Sequence, residues 1–76
     1  MPRYFFHLRD GRDILDEEGV ELSGPDDARE QAVVAFGEVL RDTGARFWKE
    51  RELRMWVVSE SGETVCDIDI SGNWSG

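Results

Sequence analysis

The segment from residue 53 to residue 70 constrains the fold of this chain more than any other part of the sequence. Apolar and polar residues alternate on both sides of Ser61-Gly62, and pairing the two halves around that turn makes both alternations agree. One face then carries the pairs Leu53 with Ile70, Met55 with Ile68, and Val57 with Cys66. The other face carries Arg54 with Asp69, Trp56 with Asp67, and Val58 with Val65. Because a slip by one residue would exchange the two faces, the pattern predicts a β-hairpin in this register.

A second hairpin is predicted near the N-terminus. Residues 3–9 are rich in aromatic side chains and favour a strand. Its alternation places Tyr4, Phe6 and Leu8 on one face and Phe5, His7 and Arg9 on the other. Asp10-Gly11 suits a two-residue turn, so the returning strand is expected over residues 12–16 with Leu15 opposite Phe6. A further turn over residues 16–19 and an extended stretch over residues 20–22 follow.

An amphipathic helix is predicted between the two hairpins. Ser23 or Gly24 can cap it, Pro25 suits its first turn, and Gly44 is typical of a helix end. Its apolar stripe consists of Ala28, Ala32, Ala35, Phe36, Val39 and Leu40. Residues 46–52 remain open between a short second helix and a connection in which Phe47 and Trp48 cover one end of the core.

These elements predict an α+β fold of order ββαββ. A four-stranded antiparallel sheet with the one main helix packed on one face buries both apolar hairpin faces, and a right-handed crossover gives the strand order 2-1-3-4. The expected core is Phe6, Phe36, Leu40, Met55, Val57, Ile68 and Ile70. At 76 residues the chain is expected to form one domain, residues 1–76, with residues 71–76 as a flexible tail.

Charge and cysteine content exclude several classes of function. Nine basic and 17 acidic residues give a net charge of −8, which repels phosphate backbones, so no nucleic-acid partner is expected. The single cysteine, Cys66, rules out an intrachain disulfide framework. The sequence shows no apolar run of a signal peptide and no membrane-length segment, so we expect no membrane association and a cytoplasmic location.

The opening MPRYFFH, the Asp10-Gly11 turn and the segment DEEGVEL at residues 16–22, followed by an alanine-bearing helix, resemble a known family. It is the domain-of-unknown-function family numbered 6894, a group of small bacterial proteins associated with rhizobia and related alphaproteobacteria. The resemblance covers the first forty or so residues well and the C-terminal hairpin by pattern, and it is expected to stop before residues 71–76. It implies a compact α+β domain, and it implies no activity, cofactor or catalytic residue.

The residue types that most often act in catalysis or bind metals are better explained here by structural roles. His7 is expected on the solvent face or hydrogen-bonded across its hairpin, because no nucleophile signature accompanies it. Cys66 is expected on the core face opposite Val57, where a thiol ionises poorly. The acidic residues Asp10, Asp13, Asp16, Glu17 and Glu18 do not follow the spacing of a calcium loop, which favours a solvated loop over weak binding of a divalent cation. No catalytic residue, metal site or cofactor is therefore predicted.

The surface most suggestive of function is the outer face of the predicted sheet. Trp56, Val58, Val65 and Phe5 would make it partly apolar, although a sheet covered by one helix normally shows polar residues to water. Three explanations remain open. In the first, the aromatic residues stabilise cross-strand pairs and are covered by Trp48 or Trp74. In the second, the face binds a second copy of the chain. In the third, it binds another protein.

Three functions are compatible with these features, in decreasing order of support. The first is a small, non-enzymatic interaction module that self-associates or binds a protein through the outer sheet face. The second is an acidic regulatory or antitoxin-like protein that masks a basic partner, which the eight acidic residues between positions 10 and 27 favour. The third is an enzyme, and it has the least support.

Overall fold

Five antiparallel strands and one long helix account for most of residues 1–75, the part of the chain that the computed structural model describes. The strands are β1 (Arg3–Arg9), β2 (Asp13–Ile14), β3 (Val20–Glu21), β4 (Glu52–Ser59) and β5 (Thr64–Ser71). The helices are α1 (Pro25–Thr43) and the single turn α2 (Phe47–Glu50), joined by a 3-10 turn (Gly44–Arg46). Residues 46–52 therefore include a short second helix. The predicted tail reaches residue 76, which lies outside the described residues.

The strand order is β2-β1-β4-β5, with β3 also paired to β1. The predicted fold class is confirmed, and the four predicted strands lie in the predicted order. The fifth strand was not expected: β3 pairs with the start of β1, where Arg3 opposes Glu21 and Tyr4 opposes Val20. The short strands β2 and β3 thus share one edge of β1, while β5 forms the opposite edge of the sheet.

The register of the C-terminal hairpin is confirmed at five of its six predicted pairs, and the sixth is wrong. Val58 lies opposite Thr64, not opposite Val65. The turn is one residue longer than predicted, because the Ser59 N–H donates to the Glu63 carbonyl oxygen at 2.8 Å and Gly62 takes a φ of 92°. A β-bulge at Val65 restores the register, and Val65 packs against the core as a result.

The register predicted for the N-terminal hairpin is wrong by one residue. Arg9 opposes Asp13 and Leu8 opposes Ile14, so the loop holds three residues with Gly11 at a φ of 74°. Leu15 is consequently exposed and does not lie opposite Phe6. The return strand ends at Ile14, because the next residues leave the sheet before β3 rejoins it.

Helix α1 begins and ends where the sequence predicts. Gly24 is its N-cap and Gly44 its C-cap, where the Gly44 N–H donates to the Leu40 carbonyl oxygen. Ser23 does not cap the helix with its side chain. Its hydroxyl and its backbone N–H both donate to the Asp27 carboxylate, at 3.2 and 3.3 Å, which fixes the entry of the chain into the helix.

The buried core lies between α1 and the centre of the sheet. It consists of Tyr4, Ala28, Ala32, Phe36, Leu53, Met55 and Val57. Four residues of the predicted core are only partly buried: Phe6, Leu40, Ile68 and Ile70. Ile68 and Ile70 lie on the edge strand β5, which one helix covers incompletely. Within residues 1–75, no helix is both long enough and apolar enough to cross a membrane.

Candidate functional site

The face of the sheet that points away from α1 is the candidate functional site, and we call it the outer sheet face. Alternation along the three long strands places every second residue there. The register sets Phe5 opposite Val58, His7 opposite Trp56, and Arg9 opposite Arg54. On the three long strands, the outer sheet face comprises Arg3, Phe5, His7, Arg9, Glu52, Arg54, Trp56, Val58, Thr64, Asp67, Asp69 and Ser71.

Aromatic rings form a continuous row across the outer sheet face. The rings of Phe5 and His7 are stacked, with centroids 6.5 Å apart and an interplanar angle of 8°. The His7 ring lies 5.4 Å from the Trp56 ring, and the Arg54 guanidinium carbon lies 5.8 Å from the centroid of the same indole. These rings are partly exposed. The row offers flat apolar surface with a cation at one end, an arrangement that favours contact with other aromatic or cationic groups.

Three basic residues on the outer sheet face offset three of its five acidic residues: the bases are Arg3, Arg9 and Arg54, and the acids are Asp13, Glu21, Glu52, Asp67 and Asp69. The Arg54 guanidinium lies 3.7 Å from a carboxylate oxygen of Asp67 and 3.7 Å from one of Asp69. Arg9 donates two hydrogen bonds to Asp13, at 2.7 and 3.2 Å, and the first of these contacts lowers the pKa of the Asp13 carboxyl. These residues give the face a net charge of −2 in a chain whose net charge is −8.

A backbone hydrogen bond fixes the orientation of His7. The Asp16 N–H donates to His7 Nδ1 at 3.0 Å, so the proton of the neutral ring lies on Nε2. This confirms the prediction of a histidine hydrogen-bonded across its hairpin. Cys66 lies opposite Val57 on the core face, as predicted, and burial raises the pKa of its thiol. The two side chains thus lie on opposite faces of the sheet.

Asp16 holds the loop between β2 and β3 against β1. Its carboxylate accepts the backbone N–H groups of Phe6, Glu18 and Gly19, each at 3.1 Å. Burial alone would raise the pKa of this carboxyl, but the three backbone donors outweigh burial and lower it. The bond to Phe6 replaces a missing strand partner at the point where β1 has neither β2 nor β3 beside it.

Three carboxylates of the predicted acidic loop each contact a different group. Asp13 pairs with Arg9, Asp16 accepts backbone donors, and Asp10 lies 3.5 Å from the Arg46 guanidinium. An open cleft of about 350 Å³ adjoins Asp10 and is lined by both acidic and basic side chains. In the part of the chain that the structure describes, no three His, Cys, Asp or Glu side chains lie close enough together to hold a metal ion.

Trp48 and Trp74 lie away from the outer sheet face, in what we call the C-terminal aromatic cluster. Their rings stack at 5.2 Å, Phe47 packs edge-on against Trp48, and the Arg51 guanidinium lies 5.1 Å from the centroid of Trp74. Gly72 fits closely beneath them, since an added Cβ would lie 2.7 Å from the Phe47 ring. The proposal that either tryptophan covers Trp56 is therefore wrong.

Of the four residues predicted to form an interface, the structure brings together Phe5, Trp56 and Val58 on one face. Val65 is separated from them by the bulge and packs against the core. Sequence reasoning missed the role of His7 as the link between Phe5 and Trp56. The signal was available, because His7 and Trp56 lie directly opposite each other once β1 is paired with β4.

Comparison with known proteins gives one family match. The model of the family described as Domain of unknown function (DUF6894) matches residues 3–71. It extends through the C-terminal hairpin, beyond the first forty residues, and stops at residue 71, one residue past the expected end of the resemblance. No curated protein and no solved structure gives a significant match.

Proposed function

The chain belongs to the family of unknown function DUF6894, and from its own residues we propose that it is a small, non-enzymatic protein-interaction module. The observation that carries the proposal is the row of Phe5, His7, Trp56 and Arg54 on a sheet face that neither Trp48 nor Trp74 covers. The environments of His7 and Cys66 support a non-enzymatic role. His7 Nδ1 already accepts a hydrogen bond, and the pKa of the Cys66 thiol is raised by burial.

We take the occupant of the outer sheet face to be a second copy of the chain. A net charge of −8 opposes the approach of two copies over most of their surface. The outer sheet face opposes it less than the acidic loop does, because Arg3, Arg9 and Arg54 offset three of the five acidic residues there. Two copies that meet through this face therefore combine apolar contact with moderate charge repulsion.

A two-fold symmetric contact suits the order of the cross-strand pairs along this face. A two-fold axis that lies between the two faces and crosses the strands at the level of Trp56 places the Phe5–Val58 pair of one copy over the Arg9–Arg54 pair of the other. The Phe5 ring of each copy then faces a guanidinium group of the other copy, and the arginine side chains of the two copies stay apart. Three long strands of about 23 Å give a footprint of about 300 Å², which is small for a specific interface, so we expect a weak dimer.

The second candidate function is the masking of a basic partner by the acidic surface. Eight acidic residues between positions 10 and 27 favour it. The response to salt separates the two candidates. Salt weakens attraction between unlike charges, whereas it screens the repulsion between two acidic copies and slightly strengthens their association.

We also propose a bacterial origin and a cytoplasmic location. The sequence resemblance to bacterial proteins supports the first. A single cysteine, which cannot form an intrachain disulfide, supports the reducing cytoplasm over an oxidising compartment.

Sedimentation equilibrium tests the proposed function. The parent chain is expected to show a mass that rises with concentration from 8.7 kDa towards twice that value. Trp56→Ser should stay monomeric yet folded, because Trp56 lies outside the buried core. Trp48→Ser is the matched control, since it removes an indole from the C-terminal aromatic cluster, and it should associate like the parent.

Two results would refute the proposal. One is a parent chain that stays monomeric at high micromolar concentration, and the other is a Trp56→Ser variant that associates as the parent does. If Trp56→Ser unfolds, Val58→Thr provides the same test, because it keeps a β-branched residue in the strand and removes apolar surface from the same face.

A further inference from the structure

The free edge of the sheet along β5 carries an inference that is independent of the outer sheet face. The two edges of this sheet differ. On the β1 side the edge strands have two residues each, and Asp16 accepts the N–H of Phe6 between them. On the β5 side, regular pairing runs without interruption from Cys66 to Ser71, a length of about 20 Å. No strand of residues 1–75 pairs with the far side of β5.

The hydrogen-bond pattern shows which backbone groups of β5 are free. The Gly72 N–H donates to the Arg51 carbonyl oxygen at 2.9 Å, and ladder bonds alternate along an antiparallel pair. Even-numbered residues of β5 therefore bond to β4. The N–H and C=O groups of Asp67, Asp69 and Ser71 point away from the sheet, so they can bond to a further strand.

The side chains beside this edge differ between the two faces of the sheet. On the outer sheet face, the side chains of Asp67 and Asp69 are 45% and 60% exposed, and both share the single cation Arg54 at 3.7 Å. On the helix face, Ile68 and Ile70 are only partly buried. Helix α1 packs against β5 on this face.

We propose that the β5 edge binds an extended segment of another protein in which basic and apolar residues alternate. Added as a sixth strand, such a segment would place its basic side chains opposite Asp67 and Asp69, about 5 Å away. Its apolar side chains would lie beside Ile68 and Ile70 and extend the core beneath α1. The charge of −8 on the chain favours the approach of a basic segment.

A second copy of the same strand fits this edge poorly. In an antiparallel two-fold pairing, the outward-facing residues of the two β5 strands oppose one another. The two registers with the longest overlap set Asp69 opposite Asp69, or Asp67 opposite Asp69, on the same face. Like charges directly opposite each other are destabilising, so these aspartates disfavour pairing with another copy and favour a basic partner.

The test is a titration of the full-length chain with a labelled synthetic peptide that alternates arginine with valine. We expect saturable binding that weakens as salt is raised. The amide protons of Asp67, Asp69 and Ser71 should gain protection from hydrogen exchange, whereas those of Ile68 and Ile70, already bonded to β4, should change little. A peptide of the same composition with methylated backbone nitrogens should bind much more weakly, because it cannot donate ladder hydrogen bonds.

Charge variants supply the matched control. Asp67→Asn combined with Asp69→Asn should weaken binding about threefold to thirtyfold, whereas Glu30→Gln combined with Glu38→Gln, an equal change of charge on exposed positions of α1, should weaken it much less. Trp56→Ser should leave peptide binding intact, which separates this inference from the proposed dimer. Equal losses in the two double variants, or unchanged exchange at Asp67 and Asp69, would overturn the proposal and indicate general charge attraction only.

Discussion

At the scale of single residues, Asp16 links the candidate site to the fold. Its carboxylate accepts three backbone N–H groups, and its own N–H orients His7 within the aromatic row. The sequence shows an acidic turn at this point, and a solvated carboxylate is the ordinary interpretation of such a turn. An acceptor is needed there because neither β2 nor β3 lies beside β1 at Phe6, whose N–H has no strand partner. This gap arises from the way β2 and β3 pair with β1, which the local sequence does not show.

Replacing Asp16 with asparagine should destabilise the fold by about 1 to 3 kcal/mol at neutral pH, because an amide has one acceptor oxygen and its NH₂ group would face a backbone donor. The pKa of Asp16 is lowered in the folded chain. Its stabilising contribution is therefore complete above the ordinary carboxyl pKa and is lost as the pH falls through the lower folded value.

Thermal melts of parent and Asp16→Asn should accordingly differ most at neutral pH and converge as the pH falls from about 5 towards 2. Glu17→Gln, at the exposed neighbouring position, is the control and should melt like the parent at neutral pH. A difference between parent and Asp16→Asn that stays constant across this range would contradict the role given to the carboxylate.

At the scale of elements, the sequence predicted α1 and most of the C-terminal hairpin correctly because local rules determine them. Pro25 and Gly44 bound the helix, and the alternation from Leu53 to Ile70 fixes the strand pairing. The lengths of the turns were harder to predict from the sequence. Gly11 and Gly62 each lie in a three-residue loop with positive φ, and loop lengths of two and three residues look alike in sequence.

The residues predicted for the outer sheet face followed the same division. Phe5, Trp56 and Val58 were found because the strand period determines their face, whereas Val65 was assigned wrongly because a bulge changes that period. The pairing of β3 with β1 and the stacking of Trp48 on Trp74 bring together residues that are distant in sequence. No local pattern encodes such contacts.

Two glycine-to-alanine substitutions test the elements with opposite expected signs. Gly37 lies within α1 with no atom near an added Cβ, so Gly37→Ala should stabilise the fold by about 0.5 to 1 kcal/mol. Gly19 has a φ of 73°, and an added Cβ would lie 2.9 Å from the Phe5 ring and from the Tyr4 carbonyl oxygen. Gly19→Ala should therefore destabilise by about 2 kcal/mol or more.

Urea unfolding of the two glycine variants beside the parent provides the measurement. The midpoint should rise for Gly37→Ala and fall for Gly19→Ala, with similar slopes for all three chains. A Gly19→Ala variant as stable as the parent would show that the loop between β2 and β3 does not pack against β1 as described.

At the scale of the whole molecule, one helix covers one face of the sheet, and we propose partners for two of the surfaces that it leaves exposed. The outer sheet face is aromatic and only mildly acidic, and we propose a second copy of the chain as its partner. The β5 edge has free backbone groups beside two aspartates, which favours a basic strand. We expect the two proposed contacts to respond oppositely to salt, because screening reduces repulsion between copies and also reduces attraction to a basic segment.

The central claim, self-association through the outer sheet face, is tested most directly by following the three tryptophan indole N–H signals in nitrogen-15 NMR spectra during dilution. Trp56 lies on that face, while Trp48 and Trp74 lie in the C-terminal aromatic cluster and act as internal controls. We predict that the Trp56 signal shifts between millimolar and low micromolar concentration while the other two stay fixed. A Trp56 signal that does not move, or shifts confined to Trp48 and Trp74, would contradict self-association through this face.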